Sequence, residues 1–230
     1  MPIAKCPLTS IFMNSPIKVI IFDIDGTLVD AYDSIFMAMQ GTLKTLGLPE
    51  ATYADVKCKV GWGLRALIAA FVPEPLVDQA VNIYADKSDE ILPQGLKFLP
   101  NAKSLIDQLL KKDYILAIAS NRPSQFSKMI LEHLGVLSHF TEVVCMDNVP
   151  RGKPEPDMLL EILKRLSLSV DQALFVGDMT VDVQTGAAAG VKTVAVTTGS
   201  STRVELEALK PYKILDDIGG ILGIVEGMKE

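Results

Sequence analysis

Two kinds of apolar pattern alternate along the chain. Val19-Ile20-Ile21-Phe22 is an unbroken apolar run rich in β-branched residues, and shorter or more mixed runs follow at Tyr114 to Ala119, Glu142 to Met146, Ala173 to Val176 and Thr193 to Thr197. Such runs, closed by polar residues, predict strands buried on both faces of a parallel sheet. Between them apolar residues recur three and four apart. Ala102, Leu105, Ile106, Leu109 and Leu110 form one such stripe, Phe126, Ile130 and Leu134 a second, and Met158, Leu159, Ile162, Leu163 and Leu166 a third. Strands alternating with amphipathic helices predict an α/β fold with a doubly wound, Rossmann-like parallel sheet.

The stretch from Asp30 to Tyr114 is far longer than one crossover requires. Its pattern is helical. Ile35, Phe36, Met39, Leu43 and Leu46 share a face that closes at Gly47; Leu64, Leu67, Ile68 and Phe71 repeat the spacing; Val77, Ala80, Val81, Tyr84 and Ile91 follow Pro75. Residues 31–94 therefore read as an inserted helical cap, residues 16–30 and 95–230 as the α/β core, and residues 1–15 as a loose N-terminal extension in which Met13 could be the true start. Gly61-Trp62-Gly63 begins a G-x-G-x-x-A string, but the preceding Lys57-Cys58-Lys59-Val60 is too short and charged for the strand that a nucleotide loop needs. A cap loop facing the site is the better reading, and Arg65 beside it is a candidate for holding a substrate anion.

Composition narrows the field without naming a function. A formal charge of −6 argues against broad binding to nucleic acid or anionic membranes, and no apolar run approaches the ~20 residues that span a bilayer. Cys6, Cys58 and Cys145 are unevenly spaced, which supports neither a disulfide framework nor a zinc site and predicts buried free thiols in a reducing cytoplasm.

The chemistry gathers at strand ends. Asp23 and Asp25 close the first run, with Gly26 and Thr27 directly after; Ser120 and Asn121 close the second; Lys153 precedes the Met158 helix; Asp178 and Asp182 follow the fourth run. In open α/β sheets ligands bind in the crevice beyond the carboxyl ends of the strands. Taken singly, each has a plainer explanation. Ser120 and Asn121 suit a helix cap, Lys153 a solvated loop, and Asp178 and Asp182 a helix N-terminus, where acids favour the dipole. Four such groups in order at strand ends are not explained that way, whereas Asp30 reads as structural.

D-x-D-G-T after a buried strand, S-N-R-P after the next, Lys153, and the Asp178–Asp182 pair together resemble the ordered motifs of the haloacid dehalogenase-like hydrolases, over nearly the whole chain. V-G-W-G-L-R-A-L-I in the cap and S-N-R-P resemble the phosphoglycolate phosphatases within that family. The resemblance implies that Asp23 attacks phosphorus to form an aspartyl-phosphate, while Asp25 protonates the leaving oxygen and later activates water. Ser120 would bind phosphoryl oxygens and Lys153 would neutralise them, with Asn121, Gly26 and Thr27 beside the substrate. Mg²⁺ would be held by Asp23, the Asp25 carbonyl and Asp178, with Asp182 orienting Lys153 or a metal-bound water. Phosphoryl transfer needs just such an in-line nucleophile and charge neutralisation. Met179 departs from the pattern, because Ser often follows the first acid of the fourth motif. The implied function is hydrolysis of a small phosphorylated metabolite such as phosphoglycolate by a cytoplasmic monomer or homodimer, the alternatives being a phosphomutase of the β-phosphoglucomutase type or a silent binding module.

Overall fold

The computed structural model describes residues 17–228; the expected extension, Met13 and Cys6 lie outside them. In chain order the elements are β1 (Val19–Phe22), β2 (Val29–Asp30), α1 (Tyr32–Thr45), α2 (Tyr53–Lys57), α3 (Leu64–Ala69), α4 (Val77–Gly95), β3 (Lys97–Phe98), α5 (Ala102–Leu110) and β4 (Ile115–Ser120). Then follow α6 (Ser124–His133), β5 (Glu142–Cys145), α7 (Asp157–Leu166), β6 (Ala173–Gly177), α8 (Thr180–Ala189), β7 (Lys192–Val196), α9 (Arg203–Ala208), β8 (Lys213–Leu215) and α10 (Ile221–Gly227). Six strands form one sheet in the order β5-β4-β1-β6-β7-β8, all neighbours parallel. The chain builds outward from β1 through β4 to β5, then returns to β1's other side with β6. That reversal makes the carboxyl end of β1 the switch point where ligand crevices open.

Alternation along β1 divides the core. Ile20 and Phe22 face a large apolar cluster that includes Ile35 of α1, Tyr84 of α4, Ile106 of α5, Ile130 of α6 and Val225 of α10. Val19 and Ile21 face the other side, against Met158, Leu159, Ile162 and Leu163 of α7. Phe22 and Phe175 are fully buried, each worth about 1.5–3 kcal/mol relative to exposure. Because the first cluster runs without a break from the sheet into α1 and α4, the helical insertion is seated on the sheet by the same apolar surface that holds the sheet together.

All five predicted strands agree with the observed ones to within a residue at each end, β7 beginning and ending one residue earlier than its apolar run. The sequence pattern did not reveal β8, a three-residue strand with no buried residue, or the antiparallel ribbon of β2 with β3. Asp30 lies in that ribbon opposite Lys97, whose ammonium is 3.2 Å away. The expectation of buried thiols holds for Cys145 and fails for Cys58, which is exposed just after the short α2. No described helix is long and apolar enough to cross a membrane.

Candidate active site

The ladder between β1 and β6 runs one residue past β1, because Asp23 N donates to Val176 O at 2.9 Å. The chain then winds tightly around Ile24 O, which accepts from Leu28 N and Val29 N, and Gly26 N donates to Val29 O. Gly26 has φ +82°, and a Cβ there would lie 2.5 Å from the Tyr32 hydroxyl and 2.6 Å from Asp178 Oδ2. The turn thus brings the backbone against an acid from another strand, an approach only glycine allows.

Asp23, Asp178, Asp182 and Lys153 converge at this point, all nearly or fully buried. Lys153 Nζ stands 2.9 Å from Asp23 Oδ1 and 2.6 Å from Asp182 Oδ1, and Met179 N donates to Asp182 Oδ2 at 2.9 Å. Asp178 accepts from Thr27 Oγ1 at 2.9 Å and from Ser200 N at 3.2 Å. Burial pushes the Asp23 carboxyl up to about 6, with Lys153 pulling it back and Asp182 and Asp25 adding repulsion. Burial, then Asp182 and Asp23, hold Asp178 well above the usual carboxylate range. For Lys153 burial acts downward, but Asp182 and Asp23 outweigh it and keep the ammonium charged.

Asp23, Asp178 and Asp182 each offer a carboxylate oxygen, and these oxygens lie within 4.8 Å of one another. Asp23 Oδ1, although close to the lysine, is buried and accepts no aligned hydrogen bond. Three acids against one ammonium, with hard oxygen donors and an unsatisfied lone pair, fit a hard divalent cation. The carboxylate of Asp25 is not in this set. It points to the other side, where Arg122 grips it with both arms: Nε to Oδ2 at 2.9 Å and Nη2 to Oδ1 at 2.8 Å. Both side chains are about nine-tenths buried, at 8% and 10% exposure. Burial alone would lower the arginine's pKa, and Asp25 more than compensates.

A cavity of about 40 Å³ opens on that same side, between sheet and insertion. Asp23, Asp25, Ser120 and Arg122 form its floor; Val60, Leu64, Leu67 and Tyr84 of the insertion form much of its apolar roof. Ser120 Oγ accepts from Arg122 N at 3.3 Å, which leaves its proton free to donate into the cavity.

Other expected substrate contacts are placed differently. The Asn121 amide is consumed by backbone: Nδ2 donates to Gly61 O and Lys153 O at 3.0 and 2.9 Å, and Oδ1 accepts from Lys153 N at 2.7 Å. It therefore ties the insertion's loop to the lysine loop. Thr27 serves Asp178, and the Gly26 N–H is used within its own turn. Arg65 is not brought to the cavity at all. It sits on the outer face of the insertion with 57% of its side chain exposed, paired with Asp78 and, at 3.5 Å, with Glu74. Acids at the start of the next helix claim it before any ligand can. Met179, where Ser was expected, is buried under the insertion's loop, and a Cβ on Gly61 would collide with its sulfur.

Arg122 is the functional candidate that sequence reasoning missed. An arginine directly after a strand-end Ser-Asn, in a crevice already holding acids, was the available signal, since a buried guanidinium needs partners.

Comparison with known proteins agrees with this arrangement. Residues 20–196 match the profile of the family described as haloacid dehalogenase-like hydrolase, and the chain belongs to that family. Among its relatives, a phosphoglycolate phosphatase of Vibrio cholerae is 30% identical over 219 residues, covering 91% of this chain and 97% of that protein. One of Aquifex aeolicus is 34% identical over 176 residues, covering 76% and 83%. A crystal structure described as a predicted phosphoglycolate phosphatase from Haemophilus somnus superposes with a TM-score of 0.86 at 28% identity, covering 90% of this chain and 97% of that one.

Proposed function

We propose that the chain is a Mg²⁺-dependent phosphomonoester hydrolase that works through an aspartyl-phosphate on Asp23. Its substrate is a small phosphorylated metabolite of the phosphoglycolate type. The observation that carries this reading is the position of Asp23, which reaches the lysine and acid cluster on one side and the cavity with Asp25 and Ser120 on the other. A phosphoryl group seated above Asp23 would meet a nucleophile, the Ser120 hydroxyl and the Lys153 charge together. The names of the relatives point to the same substrate class.

In this reading residues 31–94 act as a cap that excludes water and selects substrate, while the strand ends do the chemistry. Lys153 keeps Asp23 ionised against its burial, and Ser120 donates to a phosphoryl oxygen. Asp25 supplies a proton to the leaving oxygen and takes one from the water that hydrolyses the acyl phosphate. A divalent cation at Asp23, Asp178 and Asp182 would neutralise charge on the phosphoryl oxygens.

A panel of small phosphomonoesters with and without Mg²⁺, scored by inorganic phosphate, tests this. Phosphoglycolate and acetyl phosphate should both release phosphate, EDTA should abolish release, and Asp23→Asn should be inactive and acquire no phosphoryl mass. Turnover by Asp23→Asn, or isomerisation of a sugar phosphate without net release, would overturn the proposal.

A further inference from the structure

Tyr32 is buried at 4% exposure, and its ring belongs to the large apolar cluster that seats the insertion on the sheet. A phenylalanine ring would fill that place equally well. The hydroxyl is what the packing does not explain, because it is buried and has no hydrogen-bond partner. An unpaired buried hydroxyl costs a fold stability, so its position is informative. A Cβ on Gly26 would lie 2.5 Å from this oxygen and 2.6 Å from Asp178 Oδ2. The two oxygens are therefore within about 5 Å of each other without bonding, a separation that one water bridges. Among the charged groups around the phenol Asp178 acts most strongly, followed by Asp25 and Asp23. Ser200 Oγ stands beside the phenol, buried and equally without an aligned partner, while Ser200 N donates to Asp178 Oδ2. Three orphaned oxygens, those of Tyr32, Ser200 and Asp23 Oδ1, thus border the acid cluster. On the ring's face the Lys57 ammonium lies 4.7 Å from the centroid, which helps to fix the ring's orientation.

We propose that Tyr32, with Ser200 beside it, is a positioning residue for the divalent cation, receiving a water of the cation's shell rather than the cation itself. This rests on the Mg²⁺-dependent reading and deepens its cation site. Mg²⁺ dehydrates reluctantly and keeps several waters, so the groups that receive those waters help to set its affinity. A water that faces a cation with its oxygen turns its protons outward. The Tyr32 oxygen accepts from it, and the Tyr32 O–H donates to Ser200 Oγ, which gives both hydroxyls partners. No proton changes owner and no covalent bond is broken. Because Tyr32 opens α1, the insertion reaches the cation as well as roofing the cavity.

Tyr32→Phe removes one oxygen and keeps the ring. The full chain is compared with the wild type, with Mg²⁺ or Ca²⁺ as the only added ligand. The metal-free variant should melt no lower than the wild type, because it loses only an unpaired buried hydroxyl. Its Mg²⁺ dissociation constant, from calorimetric titration, should rise about tenfold or more. Ca²⁺ takes more direct ligands and depends less on a fixed shell of waters, so its affinity should fall by a smaller factor. Should Tyr32→Phe fail to fold, Ser200→Ala carries the test, with a Mg²⁺ loss of about threefold or more expected and Ca²⁺ again less affected. A smaller Mg²⁺ loss, a Ca²⁺ loss as large as that for Mg²⁺, or a metal-free Tm below the wild type in Tyr32→Phe overturns the assignment. Failure of the wild type to bind Mg²⁺ would instead sink the Mg²⁺-dependent reading itself.

Discussion

Lys153 and Arg122 are two buried cations on opposite flanks of the same strand end, and they are built for different work. Lys153 is a compact charge shared between Asp23 and Asp182, and its backbone is pinned by Asn121 through both N–H and carbonyl. Nothing in that arrangement can leave without exposing two acids to each other. Arg122 is a planar fork with a single partner, Asp25, and it faces a cavity. A lone bidentate partner can be replaced by another carboxylate of equal shape. The two charges thus differ in how many groups depend on each.

The largest expected effect breaks the permanent member. Lys153→Met should lower phosphate release from every phosphomonoester by about 10³-fold, because the charge opposite Asp23 is lost whatever the leaving group. Steady-state assays across the substrate panel check this. A loss restricted to particular leaving groups would mean that Lys153 reads the leaving group rather than the charge on the phosphoryl group.

A middle-sized effect sharpens the acid cluster around the lysine. The folded Asp23 carboxyl titrates near 6 rather than at its ordinary 3.8, and Asp178 is raised as well. Between those values the folded protein keeps an Asp23 proton that the unfolded chain has released, so the contribution of Asp23 to stability falls as pH rises from about 4 to 6 and stays low above it, and Asp178 acts in the same direction. A divalent cation relieves the same repulsion. Added Mg²⁺ should therefore raise Tm by several degrees at about pH 7.5 and by less at about pH 5.5, where protons compete. Thermal unfolding with and without EDTA measures the difference; equal increments at both pH values would show that the acids carry no such strain.

The smallest effect comes from a third cation, which serves as a reference for the other two. Arg65 is paired at the surface with Asp78 and Glu74. Arg65→Ala should change KM for phosphoglycolate by less than about twofold, and a rise of tenfold or more would place it at the substrate after all.

What the sequence made legible follows from how local each signal is. Unbroken runs such as Val19 to Phe22 and Ala173 to Val176 carry their burial in their own residues, so the strands and the polar groups beyond them could be read directly. The Arg122–Asp25 pair joins residues 97 apart, and the Asn121 contacts end on backbone atoms, which have no letter of their own. The two-residue strands β2 and β3 are too short to carry a period, and β8 is too exposed to read as buried. Arg65 misled because its chemistry suits an anion, whereas its partner was decided by which acids the following helix places beside it.

The ribbon of β2 and β3 has a consequence for how this architecture can vary. The chain passes into the insertion at Val29–Asp30 and out of it at Lys97–Phe98, two strands paired antiparallel in a ribbon of their own, so residues 31–96 are topologically a single hairpin loop with pinned ends. The entropy of closing such a loop grows only as the logarithm of its length, about 0.6 kcal/mol per doubling. The sheet is therefore nearly indifferent to how much chain passes through the ribbon. What it does sense is the apolar seat that α1 and α4 occupy. An inheritance that keeps the seat and the ribbon while rewriting everything above them can change what enters the crevice without disturbing the strands that do the work, and substrate range and catalytic competence can drift independently.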